Sequence, residues 1–399
     1  MDAQTRKKIH NIIYIIGFLD FLGASIIIPL LIIQVKSLGV SPIVTGAISS
    51  VYGTLQLVTS PVVGRWSDVW GRRPVLLTCL ALTAISYVVL GISSALPVII
   101  LSRIIAGCFK HSQTICRALL ADITPSEDQS HVFGVFNAMS SVGFIIGPMV
   151  GGHISEMENG FSMVCNIGAV CFVLDLVFCW YWLPSITAIQ DPSKTNEGEN
   201  LSKVFAFIKD IDWNIFWDIF LIRFFLSFSS LVYRSNFSLL IDQNFGASPK
   251  VIGYLISFQG VISTASSFFT GKISQYYADT QLELYHGSVV LTLSLLGLTV
   301  APSLTLLLIC LIPLCISSAI IRVSSARISM SRCHPSQVGS VSGLSQSIAS
   351  FSRMVTPLIA GITQEISVYG PGIMGTASSV AGAALAGCVA HKIIKPKLD

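Results

Sequence analysis

Apolar runs long enough to cross a bilayer recur twelve times along the chain, separated by short polar stretches. They fall at about 9–33, 42–64, 74–94, 96–119, 131–155, 161–184, 213–237, 250–271, 284–300, 302–323, 337–361 and 369–391. A transmembrane helix needs about 20 predominantly apolar residues, so each run predicts one membrane-spanning helix and no stretch is left for a soluble domain. The one long polar segment, 185–212, carries Pro192, Gly198, Asp191, Lys194, Glu197, Glu199, Lys203 and Lys209. It divides the chain into 1–184 and 213–399, each with six predicted helices. The predicted fold is therefore all-α, with twelve transmembrane helices in two pseudo-symmetric six-helix bundles around a central cavity. The first run follows Arg6-Lys7-Lys8, is too long for the apolar core of a signal peptide and lacks a small-residue cleavage site, so it predicts an uncleaved span.

The charges are few and unevenly placed. Hydrophobic residues make up 52% of the 399 and charged ones only 11%, which excludes a soluble globular domain. An even number of spans puts both termini on one side. Arg6, Lys7, Lys8, Arg65, Arg72, Arg73, Arg117, Lys194, Lys203, Lys209, Lys272, Arg327, Arg332, Lys392, Lys395 and Lys397 fall on that side, against Lys36 and Lys250 on the other. Positive loops stay in the cytoplasm, so a multi-pass protein with both ends cytoplasmic is expected. The net charge of +4 is a topology signal, because no loop combines a basic stripe with interleaved aromatics, and no nucleic-acid partner is expected. Nine of the ten cysteines lie inside predicted spans and Cys333 in a cytoplasmic loop, which leaves neither a disulfide framework nor metal-ligand spacing. Asn236-Phe237-Ser238 and Asn200-Leu201-Ser202 fit the glycosylation pattern, but the first lies at a helix end and the second is cytoplasmic, so neither is expected to be modified.

A weak internal repeat supports the division into halves. Gly64 opens a charged segment whose counterpart opens at Gly271, with Gln275 where the first copy has Asp68. Arg117, Pro125, Gly134 and Gly147-Pro148-x2-Gly151-Gly152 correspond to Arg327, Pro335, Gly343 and Thr356-Pro357-x2-Ala360-Gly361 at nearly equal spacing.

Ionisable groups at membrane depth cost about 2.5–3.5 kcal/mol each on insertion scales and are functional candidates by default. Asp20 lies near the centre of the first predicted helix. Arg103, Gly107 and Lys110 lie on one face of the fourth, at offsets of four and seven residues. Asp20 is expected to face Arg103, paired while the pair is closed and titrating when it opens. A purely structural ion pair is the alternative. His111 beside Lys110 titrates in the physiological range when unperturbed, or is a packing residue. In the second half, Arg223, Arg234 and Arg353 lie within predicted spans, whereas the buried acids are Asp20 and Asp175, with Asp218 nearer an inner end. A cavity lined by such cations would favour an anion; pairing to backbone carbonyls, Asp175 or Asp218 is the alternative. Gln56, Asn137, Gln259 and Gln346 line a polar cavity or serve as interhelical glue.

The charged segment Gly64-Arg65-Trp66-Ser67-Asp68-Val69-Trp70-Gly71-Arg72-Arg73 reads as a turn in water between the second and third helices. Its Gly-x3-Asp-x2-Gly-Arg-Arg spacing resembles the signature loop of the major facilitator superfamily. Asp20 in its Leu-Asp…Gly…Pro-Leu setting, Arg103-x3-Gly107, and Gly143-x3-Gly147-Pro148-x2-Gly151-Gly152 resemble three further motifs of the drug:proton antiporters of that superfamily, the tetracycline/proton type in particular. The motifs cover the first 155 residues well and the second half only through general architecture. The chain as a whole also resembles an animal branch of the superfamily. The resemblance implies that Asp20 takes part in proton coupling with Arg103 in support, and that the Gly147-Pro148 run bends and packs the fifth helix. It also implies that Arg72 pairs with Asp122. Asp68 is expected to face the positive end of the eleventh helix and latch the halves. Lys110-His111 departs from the tetracycline pumps, so the drug is not carried over. Independently of any resemblance, Gly143, Gly147 and Gly151 recur every four residues, a flat face that admits close backbone approach, and Pro148 removes one helical hydrogen bond.

The sequence thus predicts a secondary active transporter of a small organic molecule, exchanging it for protons by alternating access, monomeric in a lipid bilayer and without cofactor or metal. A proton-independent or symport carrier of an organic anion is one alternative, and a non-transporting sensor or scaffold another. No phosphate loop, nucleophile elbow or metal-ligand cluster suggests an enzyme. The topology is tested by reporter tags on residues 1 and 399, both expected in the cytoplasm; tags on opposite sides would overturn the count of spans.

Overall fold

The computed structural model describes residues 3–92, 95–125, 127–183, 213–277, 279–333 and 338–394. Among them the secondary structure is helical, without strands. The helices are α1 (Ala3–Ser25), α2 (Ile28–Ser37), α3 (Pro42–Trp70), α4 (Arg72–Ile92), α5 (Leu96–Phe109), α6 (Ser112–Ile123), α7 (Gln129–Ile154) and α8 (Gly160–Trp182). They continue with α9 (Trp213–Phe245), α10 (Pro249–Gln275), α11 (Thr280–Thr299), α12 (Leu304–Ser331), α13 (Val338–Ile366) and α14 (Gly370–Ile394). Among the described residues fourteen helices make twelve spans, because α1–α2 and α5–α6 are each one span broken in its course. Nine spans of the described residues are long and apolar enough to cross a membrane by length and composition alone. The protein is an integral, multi-pass membrane protein.

Two breaks and one turn depart from the sequence expectation. The first span is not one continuous helix. Pro29 cannot donate to the helical ladder, and the chain restarts at Ile28 with that proline in the first turn. The charged segment 64–73 is not an irregular loop either: α3 runs helical through Asp68 to Trp70. A single residue, Gly71 at φ 93, makes the reversal before α4 begins at Arg72. Only glycine adopts that backbone readily, so one residue does what a longer loop was expected to do.

By contact, the chain separates into two compact units, Met1–Thr195 with Ile241–Gly260, and Asn196–Leu240 with Val261–Asp399. The expected linker 185–212 lies outside the described residues. In the first unit α1 packs on α7 and α8, α4 on α8 and α5, and α3 on α5. The centre is apolar, with Ile13, Ile16, Leu76, Leu80, Phe136 and Phe172 fully buried. In the second unit α11 packs on α12 and α14, and α13 on α14. Asn236 there is buried and donates to Gln364 Oε1 at 2.5 Å, an interhelical bond between α9 and α13.

The glycine face of α7 meets backbone. A Cβ on Gly143 would strike the Phe18 carbonyl, one on Gly147 the Ser25 hydroxyl, and one on Gly151 the Ile26 carbonyl. Gly152 faces the Pro249 carbonyl, 2.7 Å from an added Cβ, and Gly253 faces the Pro148 carbonyl. The Ser25 hydroxyl also donates to the Gly143 carbonyl at 3.3 Å. Replacing Gly151 by Ala should therefore lower stability by about 1–3 kcal/mol through overpacking. Gly134→Ala on the same helix, where nothing lies within 4 Å, should leave it unchanged or raise it. Thermal unfolding in detergent checks the pair; equal effects would remove the close approach as the reason for the spacing.

Candidate functional site

Asp20 is buried to 1% exposure near the C-terminal end of α1, and both oxygens of its carboxylate have partners. Lys110 Nζ lies 2.5 Å from Oδ1. The Ser112 hydroxyl donates to the same oxygen, and Gln113 Nε2 donates to Oδ2 at 3.0 Å. All three donors come from a short stretch, and the reason is the break between α5 and α6. Lys110 caps α5 with a non-helical backbone, and α6 begins at Ser112. Asp20 thus sits at the N-terminal turn of a half-helix, where free N–H groups and the positive dipole end favour a negative charge.

A backbone break at membrane depth is tolerated only where its polar groups find partners, and here they do. The Lys110 N–H donates to the Ala106 carbonyl at 2.8 Å, and the Lys110 carbonyl accepts from Gln56 Nε2 at 3.1 Å. His111, only 3% exposed, meets Thr59 Oγ1 through Nε2 at 2.8 Å. Gln56 and His111 therefore hold α3 against the break. Lys110 Nζ also lies 4.9 Å from the centre of the Phe172 ring on α8.

The expected Asp20–Arg103 pair is not formed. Arg103 is buried on α5 with its guanidinium 5.5 Å from the centre of the Tyr87 ring, and its Nε and Nη2 have no hydrogen-bond partner. The physical reason is reach. Arg103 lies two helical turns before Lys110, about 10 Å along the axis, while Asp20 stands level with the break. Lys110 is accordingly not a member of a continuous α5 face with Arg103 and Gly107. The break carries a sequence signal, four consecutive polar residues from Lys110 to Gln113 inside an apolar run.

The other expected positions are scattered. Arg72 bridges Asp68, four residues before it, and Asp122, at 2.8 Å through Nε. Asp68 is thus held within its own turn, and residues 334–337 before α13 lie outside the described ones. Arg73 donates to the Trp180 carbonyl at 2.6 Å. Asn137 accepts from Arg117 at 2.9 Å. Gln259 is buried and Gln346 exposed.

In the second unit Arg223 is half-buried and Arg234 and Arg353 are exposed; Arg353 donates to Ser350 Oγ at 2.7 Å. Among the described residues, none of these three, nor Arg322, forms an ion pair with a carboxylate. Two acids of that unit are engaged elsewhere. Asp218 pairs with Arg332 at 2.6 Å, and Glu283 lies 3.7 Å from Arg327 and accepts from Ser274 at 2.5 Å. Glu283, at 1% exposure, is a buried acid that the span boundary at 284 had left outside the membrane. Asp175 on α8 pairs with none of the arginines; both its oxygens are buried without a hydrogen-bond partner.

The Major Facilitator Superfamily model matches residues 13–357. The quinolone resistance protein NorA of Staphylococcus aureus is 24% identical over 378 residues, covering 93% of this chain and 94% of that protein. Multidrug resistance protein 2 of Bacillus subtilis is 27% identical over 375 residues, covering 92% and 91%. Among solved structures, a bacterial homolog of the human lysosomal transporter Spinster, inward-facing and occupied, aligns at TM-score 0.80 and 14% identity over 99% of each chain. The human organic anion transporter MFSD10 (TETRAN) aligns at TM-score 0.64 and 20% identity, over 97% of this chain and 100% of that one.

The site predicts a ranking of substitutions. Lys110→Met leaves Asp20 buried without its counter-ion and should cost about 3–5 kcal/mol. Adding Asp20→Asn should restore most of that, and Arg103→Met should cost less than Lys110→Met. Thermal unfolding of the reconstituted variants measures all three. A larger loss from Arg103→Met would return Asp20 to the arginine.

Proposed function

Because the chain belongs to the Major Facilitator Superfamily and is a secondary active transporter of small molecules and not an enzyme, we propose that it exchanges its substrate for protons. The observation that carries this reading is the buried Asp20 carboxylate held by Lys110, Ser112 and Gln113 at a broken helix. Protonating Asp20 cancels the charge that these donors and the α6 dipole stabilise, so Lys110 is released and the break loses its anchor. A proton bound there thereby biases the packing of α1 against α6, and through the glycine face of α7 the same helix responds along its length. Gly143, Gly147, Pro148, Gly151 and Gly152 are the gating elements in this reading. Gly64, Asp68, Gly71, Arg72, Arg73 and Asp122 stabilise the turn that ends α3. Arg103 adds a second positive charge near the coupling acid. Gln56, Lys110, His111, Asn137, Arg223, Arg234, Gln259, Gln346 and Arg353 are the candidates for substrate contact. Both termini face the cytoplasm, following the lysine and arginine bias, and the transporter works as a monomer.

A second reading has its own observation. Arg223, Arg234, Arg322 and Arg353 lack carboxylate partners among the described residues, so an anionic substrate would supply the missing charge. The human organic anion transporter MFSD10 shares the fold. The similarity to the quinolone resistance protein NorA and to multidrug resistance protein 2 keeps drug-like molecules among the candidates.

Proteoliposomes with an imposed pH gradient separate the readings, using ethidium as a cationic probe and fluorescein as an anionic one. Proton exchange predicts that Asp20→Asn abolishes gradient-driven flux at least tenfold and leaves downhill exchange partly intact. The anion reading predicts fluorescein uptake that survives Asp20→Asn and falls in Arg223→Ala and Arg234→Ala. Full gradient-driven flux in Asp20→Asn would end the assignment of coupling to this residue.

A further inference from the structure

Asp175 has no place in the scheme above, and among the described acids it is the one with both carboxyl oxygens buried and unpartnered. It lies on α8 with no exposed surface, and neither carboxyl oxygen receives a hydrogen bond. An ionised carboxylate buried without donor or counter-ion in contact is strongly disfavoured, and a group so placed takes up a proton instead. The titratable and charged groups around it come from several elements. Asp20 on α1 and Lys110 at the α5–α6 break act on it electrostatically, and the thiols of Cys116 on α6 and of Cys171 and Cys179 on α8 surround it. Further along α4, Cys79 lies near Lys110, and Tyr87 carries Arg103.

The ammonium of Lys110 already lies over Phe172, 4.9 Å from the ring centre, while bonded to Asp20. Phe172 and Asp175 are three residues apart on α8, hence neighbours on one helix face. We infer that Asp175 is a second proton-binding residue, which shares Lys110 with Asp20 and with it forms a two-acid proton relay.

In the conformation described, Asp20 is the anion paired to Lys110 and Asp175 carries the proton. When a proton binds Asp20, the Asp20–Lys110 ion pair breaks and the ammonium turns across Phe172 to Asp175. The Asp175 O–H then gives up its proton, and the new carboxylate pairs with the ammonium. One proton is taken up at α1 and one released from α8, so the cluster keeps its charge while the carboxylate paired to Lys110 changes from Asp20 to Asp175. This inference rests on the proton-exchange reading of Asp20 and extends it to a residue on another helix.

Infrared difference spectroscopy of the full chain in lipid, titrated with acid and base and without any transported molecule, tests it. A protonated carboxyl that receives no hydrogen bond absorbs at the high-frequency edge of the carboxylic C=O region. That band should be present in the unmodified protein and absent from Asp175→Asn, whose amide has the shape of the neutral acid. In Asp175→Glu it should shift. Asp20→Asn should weaken it at least threefold, because Lys110 turns to Asp175 and ionises it. Lys110→Met in the Asp20→Asn background should bring it back.

No band sensitive to Asp175→Asn, or a band that Asp20→Asn leaves at full strength, would overturn the relay. The proteoliposome flux of Asp20→Asn keeps the two inferences apart. Lost gradient-driven flux together with an Asp175 band indifferent to Asp20 sinks the relay alone, whereas retained flux sinks the coupling role of Asp20 whatever the band does. Asp175→Glu, which keeps the acid, serves where Asp175→Asn folds poorly: a band unmoved by the longer side chain assigns it to another group and overturns the relay.

Discussion

The N-terminal unit depends on how one charge is kept in an apolar medium. A bilayer offers no water to an unpaired carboxylate or to a broken backbone, so both must be satisfied from within the protein. Asp20 and the break at Lys110-His111 answer each other's need. The break frees the first turn of α6 to face the carboxylate, and the carboxylate gives Lys110 and the Ser112 hydroxyl an acceptor. Gln56 and Thr59 close the remaining polar groups from α3. Remove any one partner and another is left buried and unsatisfied, which is why four helices are tied to a single acid.

α1 has a second constraint on its opposite side. Its backbone from Phe18 to Ile26 lies directly against Gly143, Gly147 and Gly151 of α7, where no side chain fits. Packing of this kind has few intermediate positions, because a shift of a fraction of an ångström meets backbone instead of a flexible side chain. α1 is thus held by the Asp20–Lys110 ion pair on one side and by the rigid glycine face of α7 on the other.

Charge is distributed differently in the second unit. Its acids Asp218 and Glu283 are paired to Arg332 and Arg327, while Arg223, Arg234, Arg322 and Arg353 form no ion pair with a carboxylate among the described residues. In the proton-exchange reading the buried acids of the first unit bind protons, and in the anion reading the cations of the second meet the substrate's charge. The weak sequence repeat agrees with such a division, since the second copy has Gln275 for Asp68 and has lost most of the glycines of the Gly-Pro run.

The all-helical membrane fold was legible in the chain because a bilayer imposes one length and one polarity on every span, and apolar runs report both. The reversal near Gly71 and the glycine spacing on α7 were legible for a similar reason: glycine marks places where backbone must turn sharply or approach closely. Asp20 could be singled out because an acid in an apolar run is costly wherever it points. Its partner could not be read from the chain. Periodicity assumes an unbroken helix, and along an unbroken helix Arg103 and Lys110 share a face as equal candidates. Where α5 ends depends on Gln56 and Thr59 of another helix satisfying the break, so only the tertiary structure decided that Lys110 takes Asp20 while Arg103 turns to Tyr87. The isolation of Asp175 was hidden for the same reason: whether a buried acid has a partner depends on what the neighbouring helices bring to it.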